Sequence, residues 1–286
     1  MSDIDFVAEI GSNYYVEGKG GSLNRALELI AEAAAAGATT VKFQLWDKLY
    51  ANQEQQQVMN ERKLPVEWLP ELKKEADRCG VEFLVTPFSV AALEEILPYV
   101  ERIKIASWDI TFEPLLEAVA ETGLPVILST GASDWEEVEN AIEILRPGDE
   151  FPDDITLLYC HAGYPVKLED VNLRGILDLA GQSVLDISEL EVMRVGLSSH
   201  YPDPMINASA VMYGAEMIEA HFDLADNKGL EAGHSLTPHQ FKQMVSMAKA
   251  FEAAKGSVLF EGEAGRQFCR DNYRRNPEDW LRPAKR

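Results

Sequence analysis

The sequence predicts an α/β fold, specifically a (β/α)8 TIM barrel with a short C-terminal tail. Three observations predict it. Short apolar, β-branched runs alternate with helical segments eight times, the pattern of a parallel sheet. Eight such units within a chain of 286 residues match the size of a barrel, about 250 residues. Finally, no Gly-x-Gly-x-x-Gly turn follows the first strand. Gly18, Gly20 and Gly21 lack that spacing, so an open doubly wound sheet ranks second. Residues 1–256 are assigned to the barrel and 257–286 to a C-terminal extension, with Trp280 and Leu281 available to dock it.

The elements follow in order. Residues 6–10 form the first strand, ending in Glu9 and a turn around Gly11-Ser12-Asn13. A helix over 22–36 has Ser22 as its N-cap and Gly37 as its C-cap. Strand two, 39–45, carries Lys42 and Gln44. The Gln-rich stretch 51–64 reads as a loop with a short helix. A helix runs from Pro65 to Cys79 and ends at Gly80. Strand three is 82–88 and is followed by a helix at 89–97. Strand four is 102–107, with a helix at 112–122. Strand five is 125–130, with a helix at 133–145. Strand six is 155–160, with a helix at 172–180. Strand seven is 193–199, with a helix at 205–214. Strand eight is 217–222, and the last long helix, 237–254, is capped by Thr237 ahead of Pro238.

Composition removes several function classes. A net charge of −22 argues against a nucleic-acid partner, because phosphate contacts need clustered Lys and Arg. No apolar run approaches the roughly 20 residues that span a bilayer, so no membrane role is expected. The start, Met1-Ser2-Asp3-Ile4-Asp5, lacks the basic region of a secretory signal. Cys79, Cys160 and Cys269 are few, odd in number and widely spaced, which fits reduced thiols in a cytoplasmic protein.

Barrel active sites sit at the C-terminal ends of the strands. Collecting what each strand delivers there gives Glu9, Lys42, Gln44, Thr86, Lys104, Ser107, Asp109 and Ser129. The later strands add Tyr164, Ser198, His200, Glu219 and His221, and Glu231 follows in the last loop. Lysines with Ser and Thr hydroxyls suit phosphate or carboxylate oxygens. Two imidazoles emerging from neighbouring strands suit a divalent metal. Either histidine taken singly is as well explained as a hydrogen-bonded strand cap.

These residues lie in an ordered set of motifs. They are Ala8-Glu9-Ile10-Gly11-x-Asn13, Val41-Lys42-x-Gln44, Thr86-Pro87-Phe88-Ser89, Lys104-Ile105-x-Ser107 and Ile127-Leu128-Ser129-Thr130-Gly131. Cys160 with Tyr164-Pro165, Gly196-Leu197-Ser198-x-His200 and Glu219-x-His221-Phe222 complete it. The chain resembles the sialic acid synthase family across about residues 6 to 255. The resemblance implies a metal-dependent condensation of phosphoenolpyruvate with an aldose such as an N-acetylmannosamine-like amino sugar, giving a nonulosonic acid and phosphate. It further implies that His200 and His221 hold Mn2+ or Mg2+, and that Lys42, Thr86, Lys104, Ser107, Ser129 and Ser198 bind phosphoenolpyruvate. Glu9, Asp109, Tyr164, Glu219 and Glu231 match the catalytic positions, with Glu9 and Asp109 the candidate bases. Asn13, Tyr14 and Gln44 fall on the sugar side. The family forms homodimers.

The sequence departs from the family in places. Asp109 and Glu231 stand where Glu and Asp are usual. Asn13-Tyr14-Tyr15-Val16 replaces Asn-His-x-Gly, and Ala162 replaces an Asn. In the family a small antifreeze-like domain follows the barrel and covers a partner's active site; residues 257–286 are expected to be a short extension in its place. Two stretches are candidates to take over its role at the mouth, the 14–21 loop with its two tyrosines and the 261–286 tail, with the loop preferred. Two further function classes remain: a Schiff-base aldolase using Lys42 or Lys104, and a non-catalytic phosphoenolpyruvate- or sugar-binding homologue.

Overall fold

The computed structural model describes residues 4–49, 52–146, 155–185 and 194–256. Eight parallel strands make one sheet: β1 (Asp5–Gly11), β2 (Thr40–Leu45), β3 (Glu82–Pro87), β4 (Ile103–Ile105), β5 (Val126–Ser129), β6 (Ile155–Cys160), β7 (Arg194–Ser199) and β8 (Met217–His221). Their order is β3-β2-β1-β8-β7-β6-β5-β4. The end strands β3 and β4 lie against one another, so the sheet curls into a barrel. The expected fold class is the one observed.

Helices wrap the outside: α1 (Leu23–Ala36), α2 (Leu69–Cys79), α3 (Val90–Ile96), α4 (Glu113–Ala120), α5 (Trp135–Ile144), α6 (Gly175–Leu185), α7 (Pro204–Ser209) and α8 (Pro238–Lys255). Several end where the sequence supplies a cap. Ser22 accepts from the Arg25 amide at the start of α1, and Gly37 closes it with a left-handed φ of 99°. Ala26, Leu29, Ile30 and Ala33 form the buried stripe that faces the sheet. At α5, Asp134 and Glu137 form a capping box. The Gln-rich stretch holds a helix, Gln53–Arg62, capped by Asn52, with no buried residue. The helix expected from Pro65 opens as a 3-10 turn, Val66–Trp68, ahead of α2. Strand four is shorter than expected, because Ser107–Asp109 turns into a 3-10 helix. Among the described residues no helix is long and apolar enough to cross a membrane.

Strand side chains alternate with period two, so one parity from every strand fills the barrel interior. The other parity packs against the helices in the main core. The interior divides into three storeys. At the N-terminal end Arg102 donates to Glu82 (2.8 and 2.6 Å) and to Asp5 (2.7 Å), which ties β4 to β3 and β1. Asp5 also accepts from Thr40 at 3.0 Å. Above this lies a separate apolar plug of Val7, Leu84, Ile127, Leu158 and Met217. Gly196 faces the plug; a Cβ there would sit 2.6 Å from Leu158 Cδ2, so β7 has room for no side chain at that height. The third storey is polar and opens at the C-terminal ends of the strands.

Candidate active site

The polar storey lines a cavity of about 280 Å³. Register brings its members together: Glu9 stands beside Lys42 on one side and His221 on the other, Gln44 beside Thr86, and Glu219 beside Ser198. Two lysines occupy the floor, both almost fully buried. Lys42 Nζ contacts the Glu9 carboxylate, donates to Thr86 Oγ1 at 3.2 Å and lies 3.7 Å from Glu219. Lys104 Nζ donates to Ser129 Oγ at 2.6 Å and to the Ile105 carbonyl at 2.8 Å. The two differ electrostatically. Burial drags both down, but Glu219 and Glu9 outweigh it at Lys42, whose pKa ends above the ordinary value. At Lys104 burial wins, and the pKa falls to about 8.

The carboxylates divide in the same way. Glu219 accepts from Ser198 Oγ at 2.8 Å. Burial raises its pKa, but the two lysines overcome it and hold the group at about 2, so it is a fixed negative charge. Glu9 accepts from Gln44 Nε2 at 2.6 Å. Burial pushes its pKa up against the pull of Lys42, which makes it the better proton acceptor. Asp109 does not line the cavity. It has one buried oxygen without a hydrogen-bond partner, and burial raises its pKa to about 6.

Opposite the lysines, three histidines meet. The His200 and His221 rings are 5.2 Å apart, and His234 lies 4.4 Å from His221. His200 Nδ1 is 2.9 Å from the His161 carbonyl, so Nδ1 carries the proton and Nε2 faces the cavity with a free lone pair. His221 Nδ1 is 2.7 Å from Glu231 Oε2. Glu231 Oε1 accepts from the Ser12 amide at 2.8 Å. This carboxylate–histidine pair is the usual outer support of a metal-binding imidazole. Among the described residues, His221, Glu231 and His234 bring donor atoms within 4.8 Å of one another, a set that fits a divalent cation, and His200 stands beside it.

The sequence after β1 explains why Glu231 can stand there. Gly11 has φ of 51°, and a Cβ on it would sit 2.7 Å from the Glu231 carboxyl carbon. Asn13 then clamps the loop that carries Glu231. Its Nδ2 donates to the Phe222 carbonyl (2.8 Å) and to Ser235 Oγ (2.9 Å), and its Oδ1 accepts from the Glu231 amide (2.7 Å). Arg25 on α1 braces the same loop through Asp223 (2.6 Å) and Asp226 (3.0 Å).

Most expected site residues line the cavity: Glu9, Lys42, Gln44, Thr86, Lys104, Ser107, Ser129, Tyr164, Ser198, His200, Glu219, His221 and Glu231. Three do not. Asp109 is one, as described. Asn13 is fully buried as the loop clamp. Tyr14 turns away into the barrel–helix layer, 1% exposed; its hydroxyl donates to the Arg62 carbonyl at 2.7 Å and its ring meets Phe43 and Trp68. Tyr15 also lies outside the cavity, in a short hairpin pairing Tyr15–Val16 with Gly20–Gly21. The expected acceptor role of the 14–21 loop is thus not met. The mouth is instead flanked by Tyr164 and Trp108, 49% and 60% exposed, with rings 6.0 Å apart. The tail named as the other candidate lies outside the described residues. Sequence reasoning missed Trp108 and His234; both sit beside residues it had chosen, Ser107 and Glu231, but in loops without periodicity.

A model described as the NeuB family matches residues 29–259. The chain is 36% identical over 256 residues to an uncharacterised protein of Methanocaldococcus jannaschii, covering 88% of this chain and 72% of that one. It is 32% identical to the N,N'-diacetyllegionaminic acid synthase of Campylobacter jejuni, covering 91% and 80%. The crystal structure of N-acetylneuraminic acid synthetase from Leptospira borgpetersenii, in complex with citrate, superposes with a TM-score of 0.83 at 30% identity, covering 93% and 90%.

Proposed function

The chain belongs to the NeuB family, and on that premise we propose that it condenses phosphoenolpyruvate with an amino-sugar aldehyde to give a nonulosonic acid and phosphate. The observation that carries this reading is the lining of one cavity by buried lysines and hydroxyls together with clustered imidazoles. Such a pocket suits a small polyanion next to a carbonyl that must be activated. The relatives named as legionaminic acid synthase and N-acetylneuraminic acid synthetase support the product class. The small-molecule substrates are the only partners this reading needs.

In the reaction, carbon three of phosphoenolpyruvate bonds to the aldehyde carbon, and positive charge develops at carbon two. Water adds there, and the tetrahedral adduct loses phosphate. Lys42, Lys104, Thr86, Ser107, Ser129 and Ser198 orient the phosphate and carboxylate by charged hydrogen bonds. Glu219, ionised throughout, opposes the positive charge at carbon two. Glu9, which lines the cavity, takes the proton of the attacking water, a role its raised pKa suits. Tyr164 and Trp108 flank the acceptor sugar at the mouth. A divalent ion, Mn2+ or Mg2+, held by His200 and His221, would supply Lewis-acid polarisation of the aldehyde oxygen.

Phosphate release from phosphoenolpyruvate, followed across a panel of aldoses with added Mn2+, tests the proposal. Release that depends on an N-acetylated amino sugar is expected; no release with any aldose would sink it. One observation favours a second reading. A lysine near pKa 8, as at Lys104, is what a Schiff-base aldolase needs. Borohydride inactivation in the presence of a keto acid would identify that chemistry.

A further inference from the structure

His234 ends the 3-10 turn Ala232–His234, in the loop that follows β8. Its ring lies 4.4 Å from that of His221 and 6.2 Å from that of His200. Its Nε2 is buried and has no hydrogen-bond partner. A polar nitrogen withdrawn from water and left unpaired is destabilising, so such groups are rare without a function. None of its neighbours relieves it. Tyr164 presents its ring at 5.4 Å. Glu231 already has one oxygen on His221 and the other on the Ser12 amide.

Nor is the position of His234 accidental. Its amide donates to the Glu231 carbonyl at 3.2 Å, and Ser235 beside it is held by Asn13 and by the Glu231 carbonyl. The loop is therefore fixed from β1. Among the described residues, His221, Glu231 and His234 each bring one donor atom to within 4.8 Å of the others, the spacing of a metal site, while Glu231 also orients His221. His200 stands beside this cluster, its ring 5.2 Å from that of His221 and its Nδ1 tied to the His161 carbonyl, and the Nε2 of His234 is the buried nitrogen left without a partner.

We propose that His234 is a third protein ligand of the divalent cation, and that three imidazoles make the site select a transition ion over Mg2+. This rests on the reading of the site as cation-binding through His200 and His221. Mg2+ prefers oxygen ligands and keeps its waters, whereas imidazole favours the later first-row ions. A set with three nitrogens therefore moves the preference away from Mg2+.

Co2+ titrated into metal-stripped protein tests this without reference to turnover. Binding is read by calorimetry and by the visible absorption of the cobalt, which reports its ligands. Loss of an outer-shell partner typically weakens metal affinity about 10–100-fold, and loss of a direct ligand should do at least as much. His234→Phe is expected to raise the Co2+ Kd at least about tenfold, to change the cobalt spectrum, and to let Mg2+ compete better. His234→Asn keeps a smaller polar group at the site and carries the same test if His234→Phe fails to fold. If His221→Ala abolishes Co2+ binding while both His234 variants keep the wild-type Kd and spectrum, the third ligand is ruled out and the two-histidine site stands. If wild-type protein binds no Co2+ at all, both readings fall.

Discussion

At the scale of single residues, the two lysines of the floor make opposite predictions. Lys42 is held protonated by Glu219 and Glu9 against its burial, so it should not titrate near neutrality. At Lys104 burial outweighs the pull of Glu219, and the group titrates near pH 8. Anion binding needs its ammonium form. The Kd for phosphoenolpyruvate should therefore rise as pH climbs above about 8, approaching tenfold per unit, and Lys104→Arg should flatten that dependence. For the free protein the sign is reversed. Between about 8 and the ordinary lysine value of 10.5 the unfolded chain binds a proton that the folded one does not, so this group adds stability as pH rises through that window. Calorimetric Kd values at several pH values check the first statement; a flat profile in wild type would refute it. Gly11 makes a second residue-level case. Alanine at its φ of 51° costs more than about 1 kcal/mol and drives a methyl into Glu231. Gly11→Ala should lower Tm and, by shifting the partner of His221, weaken divalent-ion affinity about 10–100-fold. Ion affinity unchanged in a folded Gly11→Ala protein would show that Glu231 does not position His221.

At the scale of elements, the seam of the barrel lies between β3 and β4, and Arg102 bridges it to Glu82 and Asp5. Removing one member of a largely buried ion cluster leaves charge without a partner, which costs about 3 kcal/mol. Arg102→Met should lose roughly that much in urea denaturation while leaving the phosphoenolpyruvate Kd near wild type. A change below about 0.5 kcal/mol, the range of ordinary surface substitutions, would mean the bridge is not what holds the seam. The same elements explain what was legible in the sequence. The eight strands could be read because each is a short apolar or β-branched run bounded by a capped helix. Their site residues could be read because alternation on a parallel strand fixes which side chains face inward, as at Lys42 with Gln44 and at Glu219 with His221. The alternation breaks at Gly11, where the register between β1 and β2 shifts. Beyond that point the direction of Tyr14 is set by the fit of its ring to Phe43 and Trp68, which no local pattern reveals. His234 was hidden for a related reason. Its loop is aimed by Asn13 and Arg25, partners about 200 residues away in the chain.

At the scale of the whole molecule, the proposed reaction asks a chain of net charge −22 to bind an anion against its own field. On the proposed reading, Lys42 and Lys104 do so because they act at contact distance while almost fully buried, where local charge outweighs a screened surface. Beneath them lies the apolar plug of Val7, Leu84, Ile127, Leu158 and Met217. That layer has a consequence for inheritance. Because it separates the ion cluster that closes the barrel from the polar storey that binds substrate, the two ends share no side-chain partner. A lineage can then revise the rim without loosening the seam. In a double-mutant cycle, the stability changes of Arg102→Met and Lys42→Met should sum to within about 0.5 kcal/mol. A coupling well beyond that would mean that the plug links the two ends, and that the rim of this barrel was never free to drift on its own.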